Sequence, residues 1–286
     1  MKTIILILTS LFCVSAIANT TQPQFLYQPD GGQFAFEAYS STSLITSKLQ
    51  GFQEVTRRSI VGGVALEYGF SDSFGIAIDQ SYRSSTLEQG TISHDYSGMD
   101  DLLIEFKGNY KINGQLTLRY GADVSFGFTA EEDANTNPSN QYTGRDVVSP
   151  YLGFDYKIGK NNFGALVSQE VLIGKEVTED VNGNESKATG AETTSLTAFY
   201  EYNFGNVLLG GGASYGITSD YKPEGATARE QIDTFGFTAY AAFYVTDSIT
   251  LLPAVLYLTT PDDSSNGTPI DEYNVVGVAG NFRYTF

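Results

Sequence analysis

The only histidine of the chain, His94, lies in the polar segment Thr91-Ile-Ser-His-Asp-Tyr-Ser97, beside two serines. A serine nucleophile requires a base within hydrogen-bond reach. Residues two apart on a strand share a face, but Ser93 is adjacent to His94 and Ser97 is three residues away. The segment is typical of a solvated loop. We therefore predict no catalytic residue and no enzymatic activity.

Paired carboxylates are the second group with chemical potential. Asp100 and Asp101 are adjacent, and adjacent residues of a strand point to opposite faces, so they cannot act on one substrate. Asp180-Val-Asn-Gly-Asn-Glu185 has oxygen ligands at a spacing loosely like part of a calcium loop, without the full twelve-residue pattern. These acidic stretches are interpreted as solvated, and the sequence predicts no metal site and no cofactor.

The N-terminus has the pattern of a secretory signal peptide. Lys2 precedes an apolar run, and Ala16-Ile17-Ala18 fits a small-x-small cleavage site. Cleavage after Ala18 removes Cys13, the only cysteine, so the mature chain has no disulfide and no thiolate ligand. We predict residues 1–18 as the signal, 19–31 as a short periplasmic segment and 32–286 as one barrel domain.

The charge of the mature chain is strongly acidic. Without Lys2, 15 basic residues stand against 33 acidic residues, a formal charge of −18. Such a chain repels nucleic acid, which we exclude as a partner. No apolar run beyond the signal approaches the roughly 20 residues of a transmembrane helix.

Alternating apolar and polar residues recur from Gln33 to Phe286, as in strands. Short turns alternate with longer polar stretches around 43–58, 84–97, 129–143, 175–190, 218–230 and 259–271. The short turns are Ser71-Asp-Ser73, Asn113-Gly114, Gly159-Lys-Asn161, Gly205-Asn206 and Thr246-Asp-Ser248. Eleven connections predict twelve antiparallel strands of an all-β transmembrane barrel, with both termini periplasmic. Ten or fourteen strands, and a soluble β-sandwich, remain as alternatives. Pro150 and Pro253, inside strands, predict bulges or locally broken pairing.

The charged residues fall on one face of these strands. A Lys or Arg facing lipid at mid-depth costs about 2–4 kcal/mol, so the charged face is assigned to the lumen. The predicted lumen-lining residues are Glu37, Glu67, Asp79, Arg83, Asp101, Glu105, Lys107, Lys111, Arg119, Asp123, Asp155, Lys157, Glu170, Glu201 and Arg283. The opposite face is apolar, with Tyr and Phe concentrated near the short turns as in an interfacial girdle.

The last strand alternates up to a C-terminal aromatic residue, with Phe282, Tyr284 and Phe286 on one face. This ending resembles that of bacterial outer-membrane β-barrel proteins. The resemblance implies the Gram-negative outer membrane, contact with its lipid and lipopolysaccharide, and recognition of these three residues by the barrel-assembly machinery. We expect a monomer. Divalent ions bridging the acidic loops to lipopolysaccharide remain an open alternative.

A narrower resemblance lies in Gly98-Met-Asp-Asp-Leu-Leu-Ile-Glu-Phe-Lys107. It is similar to a mid-barrel segment of the outer-membrane family linked to a meta-pathway of phenol degradation, although Asp100 replaces a glycine. The resemblance implies a small-solute channel.

Two functions are consistent with the sequence. The first is passive diffusion of small solutes through a narrow lumen of mixed charge. The alternative is a non-conducting barrel with structural or surface-interaction roles through its acidic outer loops. In that case Arg119, Lys107 and Lys111 would block the lumen by pairing with the carboxylates Asp123, Glu105 and Asp101.

Overall fold

The computed structural model describes residues 26–49, 54–126, 146–173, 176–179, 185–188, 192–218, 232–260 and 270–286. Their regular elements are fifteen strands. The strands are β1 Phe34–Leu49, β2 Val55–Ser71, β3 Phe74–Gln89, β4 Ile92–Met99, β5 Leu102–Lys111, β6 Leu116–Phe126, β7 Asp146–Ile158, β8 Asn161–Ile173, β9 Glu176–Glu179, β10 Glu185–Ala188, β11 Glu192–Asn203, β12 Val207–Thr218, β13 Ile232–Tyr244, β14 Ile249–Thr260 and β15 Ile270–Thr285. The described residues include no helix that is long and apolar enough to cross a membrane.

The strands form a closed antiparallel barrel. Neighbours in sequence pair around the wall, and β1 pairs with β15 from Ala35↔Thr285 onward, so the first and last strands close it. Strands β4 and β5 pair with the two halves of β3 and together form one interrupted wall strand. With these two counted as one, and with β9 and β10 forming a separate hairpin, the barrel has twelve strands, as predicted.

The five predicted short turns all join neighbouring strands at one end of the barrel. Two of them depend on a glycine with positive φ, Gly159 at 59° and Gly205 at 101°, a conformation that other residues adopt only with strain. We call this the short-turn end.

Two of the predicted long loops are wrong. Most of 43–58 belongs to β1 and β2, and most of 84–97 belongs to β3 and β4, which Gly90 and Thr91 connect. The prediction was wrong because polar residues were interpreted as loop, whereas antiparallel pairing continues through them, with Arg57 opposite Leu87 and Ser59 opposite Ser85. Inside this extension Arg57 Nη2 donates to Ser85 Oγ at 3.0 Å. The backbone of His94 is therefore on a strand, opposite Leu87.

The two prolines locally interrupt pairing without shifting the register. Pro150 is opposite Ala122 on one side, but β7 and β8 lose their pairing between Val148↔Val171 and Tyr151↔Ser168. Likewise, Pro253 is opposite Gly280 of β15, while the pairing of β14 with β13 is interrupted beside it. The missing amide hydrogen explains both interruptions. The broken pairing is as predicted, and neither site has a bulge.

The outer face is apolar and the inner face is polar or packed. On β2 the exposed side chains include Ile60, Val64 and Leu66, whereas Glu67 of the same strand is buried. Aromatic rings adjoin one another at the short-turn end. The ring contacts there are Phe34 with Tyr68 and Phe286, Phe70 with Tyr68 and Phe74, Tyr156 with Phe163, Tyr202 with Phe204, and Tyr284 with Phe286. The predicted signal peptide, 1–18, lies outside the described residues, as do most of the remaining long connections.

Candidate lumen site

The seam between the first and last strands contains a buried ion pair. Glu37 and Arg283 are directly opposite in register, and Arg283 Nε donates to Glu37 Oε1. Asn281 Nδ2 donates to the second oxygen of Glu37 at 2.6 Å. The three side chains are all less than 9% exposed. Two inward side chains of β15 thus satisfy the carboxylate of β1.

A second charged cluster surrounds Lys107 on β5. Its ammonium lies 3.0 Å from Glu67 Oε2 and 3.0 Å from Glu105 Oε2. Asp123 is directly opposite Glu105 in register and points to the same face. One lysine therefore serves an inner wall that carries three carboxylates.

A third group lies near the interruption between β4 and β5. The Tyr39 hydroxyl donates to Asp79 Oδ1 at 2.6 Å. Arg83 Nε lies 2.9 Å from Asp100 Oδ1, and Ser81 Oγ donates to Asp100 Oδ2 at 2.8 Å. Asp100 was assigned no role in the lumen, but its carboxylate anchors the wall where the strand is interrupted.

The other predicted lumen residues occupy different parts of the barrel. Arg119 Nε is 2.6 Å from Asp155 Oδ2. Glu201, which is 1% exposed, accepts from Tyr240 Oη at 2.8 Å and Asn162 Nδ2 at 2.9 Å. Two residues are half-buried: Asp101, directly before β5, and Glu170 on β8. Lys111 and Lys157 are exposed near the short turns.

The pairing that would block the lumen is only partly present. Lys107 does pair with Glu105, but Arg119 pairs with Asp155 and not with Asp123. Lys111 ends β5 at the short-turn end, ten residues from Asp101 and therefore at the far end of that strand. A pair between them is excluded by distance, because a strand rises about 3.4 Å per residue.

An apolar cluster covers a different part of the inner wall. It is formed by buried side chains of β11 to β14: Phe199, Leu208, Tyr240, Ala242, Leu252 and Ala254. Leu26, from the segment before β1, packs against it. The inner surface is consequently charged on β1 to β7 and largely apolar on β11 to β14.

The segment before β1, residues 26–33, enters the barrel at the short-turn end: residues 26–29 are buried or half-buried, and residues 30–33 are exposed. The Tyr27 hydroxyl is 3.1 Å from Thr285 Oγ1, and the Arg283 guanidinium lies 3.6 Å from the centre of the Tyr27 ring. Lys107 Nζ donates to the Tyr27 carbonyl at 3.4 Å. Burial raises the pKa of the Tyr27 phenol.

The next residues of this segment continue along the inner wall. Asn109 Nδ2 donates to Gln28 Oε1 at 3.1 Å, and Pro29 is buried. A Cβ on Gly69 would collide with the carbonyl oxygens of Pro29 and Asp30. The sequence predicts 19–31 as a short periplasmic segment, and it gives no position for this segment relative to the barrel wall. Glycines facing inward on adjoining strands, Gly69 and Gly75, were the available signal for the space it occupies.

Fold and lumen together define the class. A closed twelve-stranded antiparallel barrel with an apolar outer face and a charged inner face has the fold of a transmembrane β-barrel, because only closed barrels and helices satisfy every backbone group in lipid. Among the described residues, no group of three His, Cys, Asp or Glu side chains could hold a metal ion.

Two solved structures share this fold. An outer-membrane channel of Pseudomonas putida F1 superposes with a TM-score of 0.69 at 13% identity, over 92% of this chain and 98% of that one. The translocator domain of the autotransporter NalP from Neisseria meningitidis has a TM-score of 0.54 at 10% identity, over 97% of this chain and 95% of that one. No protein-family model matches the chain, and no curated protein matches it. At these identities the likeness concerns the fold.

Proposed function

We propose that the protein is an outer-membrane channel through which small solutes diffuse passively, along a narrow lumen of mixed charge. The observation that carries the proposal is the inner face of the barrel. It carries charges of both signs on strands that form a closed wall: Glu37 pairs with Arg283 and Arg119 with Asp155, while the carboxylates around Lys107 leave an excess of acid. The fold shared with the Pseudomonas putida channel supports the same function.

The size of the barrel is consistent with a narrow path. Eight strands enclose an interior that side chains fill, whereas 16 to 18 strands leave a wide aqueous channel. Twelve strands lie between these limits. In this barrel the segment 26–33 further narrows the short-turn end, because Leu26 contacts the β11–β14 wall while Tyr27 contacts β15 and Lys107.

The proposal includes the location and the partners. The apolar outer face fits the lipid of the Gram-negative outer membrane, with the short turns and both termini on the periplasmic side. Lipopolysaccharide contacts the end of the barrel that lies opposite the short turns, in the outer leaflet. The C-terminal residues Phe282, Tyr284 and Phe286 bind the barrel-assembly machinery. The protein acts as a monomer, and the fifteen charged side chains predicted from sequence line the lumen or its rim.

A non-conducting barrel is the second candidate, and one observation favours it. The segment 26–33 is held inside the lumen by hydrogen bonds, a cation–π contact and apolar packing at once. If this segment never leaves, the barrel presents only its surface and its acidic outer connections to partners.

Planar-bilayer recording from the refolded mature chain separates the two candidates. A channel gives discrete current steps, with a preference for cations because acids outnumber bases in the predicted lumen set. A barrel that is folded, as judged by heat-dependent gel mobility, but gives no steps excludes the channel. Heat-denatured protein in the same detergent is the control for leakage.

A further inference from the structure

The carboxylates around Lys107 exceed the positive charge available to them. Glu105 and Asp123 lie on the neighbouring strands β5 and β6, and Glu67 lies on β2, with β3 between β2 and β5. Lys107 contacts Glu67 and Glu105. Asp123 and Glu105 are directly opposite each other, an arrangement of like charges that destabilises a sheet. With all groups ionised, three negative charges face one positive charge.

Two carboxylate oxygens of this cluster are buried without a hydrogen-bond partner. They are Oδ1 of Asp123 and Oε1 of Glu67, a residue that is only 3% exposed. A buried acceptor without a donor costs on the order of 1–3 kcal/mol, and more when it is charged. These two oxygens can therefore each accept a hydrogen bond from a donor that enters the lumen.

Nearby cations of the chain are already engaged. Arg119 is 2.6 Å from Asp155, Arg83 is 2.9 Å from Asp100, and Arg283 is paired with Glu37. Moving any of them to the cluster would break an existing ion pair. A cationic ligand would balance the cluster without breaking any of these pairs.

The chemistry of the ligand follows from the geometry. No three of the described His, Cys, Asp and Glu side chains, these three carboxylates included, are placed to hold a metal ion together. An ammonium group carries three N–H donors and can bridge oxygens that lie apart, as Lys107 already does between Glu67 and Glu105. Hydrogen bonds between an ammonium and a carboxylate are among the strong ones.

We propose that Asp123, Glu105 and Glu67 form a binding site for the primary ammonium group of a small amine solute. The inference rests on the proposed function, since the amine reaches the site through the lumen. It adds a solute class to the channel, namely small primary amines in preference to fully methylated ammonium ions. Lys107 fixes the carboxylates in place, and Asp123 supplies the acceptor that the lysine leaves free.

Binding can be measured without any current. The refolded mature chain in detergent, in an amine-free buffer, is titrated with ethylammonium chloride and observed by saturation-transfer NMR. The Asp123→Asn variant is expected to weaken binding by roughly tenfold, equivalent to about 1.4 kcal/mol. Tetramethylammonium, which has the same charge but no N–H donor, is expected to bind the native protein at least about tenfold more weakly.

The matched control is Glu201→Gln, which removes another buried lumen carboxylate that is held by Tyr240 and Asn162. It is expected to leave ethylammonium binding within about twofold of the native value. Glu105→Gln is the second test variant. Equal binding of the two ammonium ions, or binding unaffected by both Asp123→Asn and Glu105→Gln, overturns the site. Absence of current in a bilayer with intact ethylammonium binding would instead overturn the channel alone.

Discussion

Glu37 of the first strand and Arg283 of the last strand form a buried ion pair across the seam that closes the barrel. The two residues are separated by nearly the whole chain, and their pair joins the two strands that close the wall. Arg283 also stacks over Tyr27, so the same guanidinium joins the seam to the segment inside the lumen. Closure and occupation of the lumen are thus linked through one side chain.

Glu37→Gln should destabilise the barrel strongly. Removal of one partner leaves the buried Arg283 without its carboxylate, which typically costs about 3–5 kcal/mol. Urea unfolding of the refolded protein in lipid vesicles, followed by tyrosine fluorescence, measures the loss. Glu88→Gln, at an exposed site, should change the free energy of unfolding by at most about 0.5 kcal/mol. A loss of equal size in both variants would contradict the role of the pair.

Gly63→Ala should destabilise the barrel by displacing the ring of Tyr39. A Cβ at Gly63 would collide with the Tyr39 ring and approach Ser81 Cβ to 2.9 Å, while the Tyr39 hydroxyl is fixed by Asp79. Overpacking of this kind costs roughly 1–3 kcal/mol. Gly280→Ala is the control, because nothing lies within 4 Å of its added Cβ. Unfolding midpoints in urea should therefore fall for the first variant and not for the second.

Arg83→Gln should weaken the wall where β4 and β5 are interrupted. It removes the charged hydrogen bonds to Asp100, each worth about 1.5–3 kcal/mol. Hydrogen exchange of the amides of β4 is expected to accelerate. Arg58→Gln removes an exposed arginine from the adjoining strand and should leave these amides unchanged. If the β4 amides are equally protected from hydrogen exchange in both variants, the pair of Arg83 with Asp100 does not stabilise the wall at the interruption between β4 and β5.

The strands of this barrel could be predicted because side chains alternate along each strand between an outer face in contact with lipid and an inner face lined by polar groups. On β2, for example, Ile60 is exposed on the outer face and Glu67 is buried on the inner face. The turns were predictable because Gly159 and Gly205 supply positive φ. Strand ends were not, since backbone pairing continues through polar residues such as Arg57 and Ser85.

The ion-pair partner of a charged side chain was harder to predict than the face of the barrel on which the side chain lies. Arg119 reaches Asp155 of the next strand, a choice that depends on register and side-chain length and not on alternation. The segment 26–33 has no period at all, so its place inside the lumen had no pattern to indicate it. Only the small inward residues opposite it, such as Gly69, reflect its presence.

Release of the N-terminal segment should enlarge the conductance. The double substitution Leu26→Ser and Tyr27→Ser removes the apolar anchor, the hydrogen bond to Thr285 and the ring under Arg283. Unitary current in planar bilayers is expected to increase severalfold relative to the native chain. Gln33→Ser is the control, because the Gln33 side chain is exposed and its described contacts are those of the backbone. Identical currents in all three proteins would show that this segment does not limit flow.

Phe286→Ala should reduce assembly more than it reduces the stability of the finished barrel. Phe286 is 60% exposed, and its ring stacks on Phe34 and Tyr284 at the seam, so its removal exposes no buried charge. If the assembly machinery binds the C-terminal aromatic residue, the amount of folded, heat-modifiable barrel in bacterial outer membranes should fall severalfold. The free energy of unfolding of the purified variant in urea should change by about 1 kcal/mol or less. Phe204→Ala is the matched control, since Phe204 is 59% exposed at the same end and packs on Tyr202. Equal amounts of both variants in the membrane would mean that the terminal ring serves the seam and carries no assembly signal.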